Sequence, residues 1–326
     1  MDGDVENGDV EICELALDDR SGHEAYAALW NAVLPLYPIT ADELERQRLR
    51  RPGDVRLLGK IDWAVAGCAA AIRSDLPGRT YMGNVVLPEY RRRGLGRAFL
   101  ERIAAVARRH GHDVLAAGVE EGDEGGEAFA ARFGLIEVLR ELEISRRLAP
   151  DEPEPVAPAG IAIVEVSTRP DLLRDAYALA CEALPQMPLH APLEVPSYDR
   201  WVEEDATGAD VLSGGTLLAL DGDRVVGFVS LLRRAADPRL AEHGLTSVAE
   251  SHRNRGIATS LKRAQIAWAS RNGYRELMTS TQDANAPMRA VNARLGYEPR
   301  PAWIRFEAPL EEIEARLAGD ARRRRP

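Results

Sequence analysis

A mixed α+β fold in two successive copies, each a central sheet with helices packed on both sides, is predicted by this sequence of 326 residues. The first observation behind it is an internal repeat. Arg91-Arg92-Arg93-Gly94-Leu95-Gly96 and Arg253-Asn254-Arg255-Gly256-Ile257-Ala258 stand 162 residues apart, and the same offset relates Val86 to Val248, Gly111 to Gly273 and Gly134 to Gly296 without a gap. A chance match of one short motif would not carry its surroundings along in frame. The second observation is local. In each copy an apolar strand-like run (Tyr81 to Leu87, Leu245 to Ala249) leads into a basic glycine turn and then an amphipathic helix. The third is the break between the copies, where Pro150, Pro153, Pro155 and Pro158 interrupt an acidic stretch, the composition of an extended, semi-rigid linker. Domains are therefore expected at 1–148 and 161–309, joined by 149–160, with 310–326 a helix and basic tail.

The first copy reads as a strand at Val10 to Leu15, then helices near Glu24 to Leu34 and Ala41 to Arg50, with Pro35 ending the former. Strands follow at Val55 to Ile61, Ala64 to Ile72 and Tyr81 to Leu87. In the helix from Gly94 to His110, Leu95, Phe99, Ile103 and Val106 form one apolar stripe, and Gly111 supplies its C-terminal cap. A strand at Val114 to Val119, a short helix near Glu127 to Arg132 and a hairpin to Ser145 complete it. The second copy repeats the order. Ile161 to Val166 is a strand, Pro170 to Ala183 a helix and Tyr198 to Glu204 a short one. Asp221-Gly222-Asp223 turns a hairpin between Thr216 to Leu220 and Val225 to Leu232. The helix after Gly256 aligns Ile257, Leu261, Ala264 and Trp268 and ends at Asn272-Gly273.

Gly94 and Gly256 permit a tight turn whose backbone N–H groups converge on an anion, and the helix that follows adds its positive N-terminal end. The pattern is R-x-x-G-x-G in the first copy and R-x-x-G-x-A in the second. No G-x-x-x-x-G-K-[ST] occurs, and Gly94-Leu95-Gly96 lacks the third glycine of a dinucleotide fingerprint. The pattern resembles the acyl-CoA signature of the GNAT superfamily of N-acetyltransferases, and the resemblance extends over both copies. It implies two GNAT-like domains, each built on a mostly antiparallel, twisted sheet. It also implies that Val86 with Arg91, Arg92, Arg93, Gly94, Leu95 and Gly96, and Val248 with Arg253, Asn254, Arg255, Gly256, Ile257 and Ala258, hold the CoA pyrophosphate, with acetyl-CoA the acyl donor.

Acetyl transfer to an amine requires that the amine lose a proton and that the carbonyl oxygen be stabilised as it becomes tetrahedral. By the resemblance, the base is a glutamate six residues before the motif valine. That position is Glu242 in the second copy, with His243 beside it, and Thr80 in the first, which cannot serve. The oxyanion donor is the Val248 backbone N–H. Asp283-Ala284-Asn285-Ala286-Pro287-Met288 and the later Leu295-Gly296-Tyr297 are similar to the stretch lining the CoA arm, with Asn285 both cap and ligand. The first copy has Asp123-Glu124-Gly125-Gly126-Glu127 there instead. The tyrosine many relatives use to protonate the thiolate is replaced by Ala130 and Asn292; Asn292 or water then takes that role. The expected function is an N-acetyltransferase working by direct attack of a primary amine, with catalysis in the second copy and the first degenerate. The alternative is a non-catalytic acyl-CoA sensor.

Composition sets the partners. A net charge of −10 argues against nucleic acid or an anionic membrane surface and suits a small-molecule amine. Three scattered cysteines (Cys13, Cys68, Cys181) fit a reducing cytoplasm, the start from Met1 to Glu14 is acidic rather than signal-like, and the apolar run Trp63 to Ile72 is too short to span a bilayer. No metal is expected, because His110 and His112 straddle a helix end without a third ligand. Trp201 and Trp303 could border an amine pocket, but core packing is the better reading of each. Leu184 to Pro196, with four prolines, reads as a loop over the substrate side that brings His190 and Glu194 to the substrate, and Arg322 to Arg325 as a disordered tail. Acceptor identity, acyl length and oligomeric state leave no mark on the sequence.

Overall fold

The computed structural model describes residues 9–234 and 236–323, with side chains described to residue 320. The chain forms two compact units, one running up to Leu139 and taking in Trp303 onward, the other Arg140–Ala302.

The first unit contains β1 (Val10–Glu14), α1 (Arg20–Val33), α2 (Ala41–Arg50), β2 (Val55–Ile61), β3 (Ala64–Arg73), β4 (Arg79–Val86), α3 (Leu95–Arg109), β5 (Val114–Glu120) and α4 (Glu124–Arg132). Local chemistry sets these boundaries. Asp19 caps α1 by accepting from the Gly22 N–H at 2.9 Å, and Thr40 caps α2 by accepting from Glu43 N–H at 3.2 Å. The stripe on α3 is buried as its spacing requires, with Leu95, Phe99, Ile103 and Val106 all against the sheet.

β6 (Ile136–Arg147) departs from expectation. It is one strand of 12 residues rather than a hairpin, and Glu141–Arg147 pair with a strand of the second unit. That unit holds β7 (Ile161–Glu165), α5 (Leu173–Ala183), α6 (Tyr198–Trp201), β8 (Leu217–Asp221), β9 (Arg224–Arg233), β10 (Leu240–Val248), α7 (Ile257–Arg271), β11 (Glu276–Gln282), α8 (Ala286–Arg294) and β12 (Glu298–Pro299). Its strands run β7-β8-β9-β10-β11-β6, antiparallel except for β10 beside β11, with β12 also on β6.

The chain then contributes β13 (Trp303–Pro309) and α9 (Leu310–Arg323) to the first unit, whose order is β1-β2-β3-β4-β5-β13. There β4 and β5 are the parallel pair, and β13 runs antiparallel to β5 along its whole length. Leu310, Ile313 and Leu317 of α9 enter the first unit's core. The linear division at 149–160 is thereby replaced. Each copy's final strand has gone to the other copy's unit, and the Pro-rich stretch lies within the second unit. Glu152 takes two 2.7 Å bonds from Arg146, Glu154 pairs with Arg271, and Ser270 donates to the Ala149 carbonyl at 2.7 Å.

Smaller departures have physical causes. β10 starts at Leu240, five residues before Leu245; Glu242 and His243 interrupt its apolar pattern and hide that start in the sequence. On α7 the buried face includes Lys262, Gln265 and Ile266, while Ala264 and Trp268 are only half-buried. Trp201 is fully buried, as expected. The backbone of α9 is helical through Arg323, where a disordered tail was expected from Arg322; residues 324–326 lie outside the described residues. All three cysteines are free. Among the described residues no helix is long and apolar enough to cross a membrane, and no cluster of His, Cys, Asp and Glu is arranged to hold a metal.

Candidate active site

The parallel pair of the first unit opens partway along. β4 and β5 pair from Arg79↔Val114 to Met82↔Ala117, and beyond that point both strands continue without pairing to each other. A cavity of about 370 Å³ fills the opening, within the range of small-molecule sites. Its walls are β4 from Tyr81 to Val86, β5 from Ala117 to Glu120, the turn at Arg91–Gly96, α4 with Phe129, and Trp30 and Trp303. Leu87 N–H donates to Ala66 on β3, and alternate N–H groups of a strand point to opposite edges. The N–H groups of Val86 and Asn84 therefore face the opening.

At one end of the cavity lies the glycine turn. Arg92 and Gly94 have φ of 64° and 94°, and Asn254 and Gly256 of the second copy have 62° and 80°, so both turns share one left-handed path into a helix. Arg91 Nε donates to the Val86 carbonyl at 3.2 Å and Arg253 Nε to that of Val248 at 3.3 Å, tying each turn to its strand. Arg93 is held by Asp62 at 2.5 Å, and Arg255 lies 3.8 Å from Asp221. Arg92 and Asn254 remain exposed on their turns. A Cβ on Gly96 would come within 3.3 Å of the Phe129 ring, so glycine keeps this end open. Asn84 Nδ2 donates to the Gly96 carbonyl at 2.9 Å, while its Oδ1 is buried without a partner.

On the other face of the sheet the walls are aromatic. Trp303 pairs with Glu120 and Arg305 with Gly118 across β5–β13, so these four emerge on one side. Trp303 Nε1 donates to Tyr81 Oη at 3.2 Å, and a Cβ on Gly118 would collide with both atoms. Trp303 was expected in the core; instead it lines the cavity, because the strand carrying it pairs with β5. Tyr37 meets its ring edge-on at 5.1 Å, and Trp30 donates to the Tyr37 carbonyl at 2.8 Å. Burial raises the Glu120 carboxyl pKa, with Asp123 adding to it. Trp30, Tyr81 and Glu120 were not singled out from sequence. The signal available was the repeat itself, which sets Glu120 opposite Gln282; the strand registers set Tyr81 opposite Glu242, since Tyr81 pairs with Ala116 and Glu242 with Met278.

The second unit keeps the opening but fills it with polar side chains. β10 and β11 pair from Leu240↔Glu276 only to Glu242↔Met278. Glu242 is about 30% exposed and takes a 2.9 Å ion pair from Arg234. His243 is buried, bonded to Gln265 at 2.7 Å and to the Tyr297 hydroxyl; burial, helped by Lys262, pushes its pKa well below the ordinary value. It is thus enclosed rather than presented to a substrate. Val248 lies at the end of β10. Since Ala249 donates to Val226, the Val248 N–H points to the open edge. Ile257 is buried and Ala258 half-buried at the start of α7. Asn285 caps α8, accepting from Met288 N–H at 3.3 Å. Asn292 is 1% exposed, and both its amide atoms lack partners, as do the buried hydroxyls of Ser247 and Thr281. Arg253 reaches Gln186 of the Pro-rich loop at 2.7 Å, which places that loop beside the turn. His112 lies 2.8 Å from the Thr80 hydroxyl, an ordinary structural contact.

The family model for the acetyltransferase (GNAT) family matches residues 22–135 and again 174–297. Mycothiol acetyltransferases of Salinispora arenicola and Saccharomonospora viridis are 25% and 27% identical to this chain, covering 76% and 70% of it and 78% and 74% of their own length. Among solved structures, a tandem GNAT protein from the clavulanic acid biosynthesis pathway aligns with a TM-score of 0.74 at 23% identity, over 93% of this chain and 99% of that one. A GCN5-related N-acetyltransferase from Sphaerobacter thermophilus aligns at 0.72 and 18% identity, over 92% and 96%. These two likenesses concern the fold.

Proposed function

The chain belongs to the acetyltransferase (GNAT) family, and from that premise we propose that it moves the acetyl group of acetyl-CoA to a small-molecule primary amine, by direct attack in the cleft of the first unit. The observation carrying this location is the cavity between β4 and β5, which joins the glycine turn on one face to an aromatic space on the other. As substrate, acetyl-CoA fits what lines it. The N–H groups of the turn and the start of α3 suit a pyrophosphate. Gly96 leaves room for the arm, and the orphaned Asn84 Oδ1 suits an amide N–H of that arm.

The chemistry asks little more. The ammonium loses a proton, the nitrogen bonds the carbonyl carbon, and the C–S bond breaks. The thiolate takes the second proton that the nitrogen sheds. N–H groups on the open edge of β4 suit the carbonyl oxygen as it gains charge. Glu120, whose carboxyl pKa is raised by burial, suits the first proton. The curated relatives called mycothiol acetyltransferases support a small-molecule acceptor.

A second reading puts the chemistry in the second unit, with Glu242 as base, the Val248 N–H as oxyanion donor and Asn285 and Asn292 along the arm. One observation favours it. The β9–β10 register shifts between His243 and Thr246, just after Glu242, a bulge of the kind that frees backbone groups beside active sites.

Two variants separate the readings, with free thiol followed against a panel of amines. Valine at Gly94 cannot hold a φ of 94° without strain, so Gly94→Val should lower amine-dependent thiol release at least about tenfold. Glu242→Gln should stay within about twofold of wild type. The reverse pattern would move catalysis to the second unit.

A further inference from the structure

We propose that the aromatic face of the first unit's cleft selects an amine carrying a flat apolar body, an arylalkylamine, and holds its ammonium against Glu120. This rests on the reading that acetyl transfer occurs in that cleft. The argument begins with where the polar atoms point. Trp30 spends its indole N–H on the Tyr37 carbonyl, and Trp303 spends its own on Tyr81. Both indoles therefore present carbon to the cavity, and Val33 and Leu34 at the end of α1 add more. The aromatic frame is braced, with Tyr26 stacked on Trp30 at 6.3 Å and Tyr37 edge-on to Trp303 at 5.1 Å.

Against that surface few polar groups remain. The Tyr81 hydroxyl accepts from Trp303 and keeps its own proton to donate. The Glu120 carboxylate sits beside Trp303 through strand pairing, and Asp123 lines the same cavity. The Arg305 guanidinium already lies over the Tyr81 ring, 4.8 Å from its centroid, so a substrate ammonium is answered by the two neighbouring carboxylates, whose repulsion it relieves. A polyhydroxylated amine is answered poorly, because its hydroxyls would be buried against carbon without partners. Trp303 is a specificity residue delivered from far along the chain, 222 residues after Tyr81.

The test uses the full-length chain with saturating acetyl-CoA, comparing 2-phenylethylamine with glucosamine. The expected result is a kcat/KM at least about 100-fold higher for phenylethylamine, in line with the discrimination a site shows when polar groups would be left unpaired. Trp303→Ala should raise the KM for phenylethylamine about tenfold or more with little change in kcat, Trp303→Phe should restore most of the loss, and both should melt near wild type. A preference for glucosamine, or an unchanged KM in Trp303→Ala, would overturn the proposal. If turnover survives Gly94→Val, the cleft reading itself fails. In that event, quenching of tryptophan fluorescence by phenylethylamine still decides the matter. Binding that Trp303→Ala abolishes supports this face, and binding it leaves untouched refutes it.

Discussion

A chain ending at Ala302 should lose its folded N-terminal unit while residues 140–302 keep theirs. The removed segment is part of the first unit, where β13 pairs with β5 from Trp303↔Glu120 to Pro309↔Val114. It also withdraws Leu310, Ile313 and Leu317 from the core, each at most 6% exposed. Burying a side chain of this size contributes about 1.5–3 kcal/mol, so the three together approach the roughly 5–15 kcal/mol by which a whole domain is stable. The uncovered edge of β5 would add unpaired backbone groups. Hydrogen exchange on the truncated chain should show the β2–β5 amides unprotected and those of β8–β11 protected. Continued protection of β2–β5 would show that the last strand is an accessory to the first unit rather than part of it.

That dependence marks where sequence reading stops. The ends of α2 and β2 could be read to the residue, because a capping threonine and short-range alternation act within a few positions. The turns at Gly94 and Gly256 were as readable, since a left-handed φ before a helix demands glycine locally. β6 and β13 were not. Their alternation says that they are strands, but nothing within them says which sheet receives them, and a pairing with a strand so distant in sequence leaves no local trace. The misplacement of Trp303 follows directly, because its surroundings depend on β5 as neighbour. Glu242 and His243 show a second limit. Their spacing from Val248 was legible, but whether a side chain faces a substrate, an arginine or a buried tyrosine depends on packing. The apolar stripe assigned to α7 held at Ile257 and Leu261 but not at Ala264 and Trp268, for a third reason. A helix face toward a core is assumed apolar, and here that face includes Lys262 and Gln265.

Lys262 leads to the other large expected effect. Its counterpart one repeat earlier is Leu100, fully buried in the first unit's core. In the second unit the lysine is 1% exposed, with the Tyr297 ring 5.6 Å from Nζ and neutral His243 nearby. Burial alone lowers its pKa from 10.5 to about 7. An amine whose folded-state pKa is depressed binds fewer protons than it does unfolded, throughout the interval between the two values. Stability should therefore rise with pH from about 7 toward 10.5, with a slope of at most about 1.4 kcal/mol per pH unit, and below pH 7 the full burden of a buried ammonium remains. His243, shifted downward too, acts in the same direction below its ordinary pKa. Lys262→Leu restores the side chain of the sister copy at nearly equal bulk. It should stabilise the second unit by about 2–4 kcal/mol at pH 7 and flatten its pH dependence above neutrality. Urea unfolding followed by circular dichroism at pH 6, 7.5 and 9 measures both effects. A variant less stable than wild type at pH 6 would mean that the ammonium has a compensating partner. The contrast matters for function, because a core that tolerates a buried lysine, a histidine and an unsatisfied asparagine has been shaped by something other than stability.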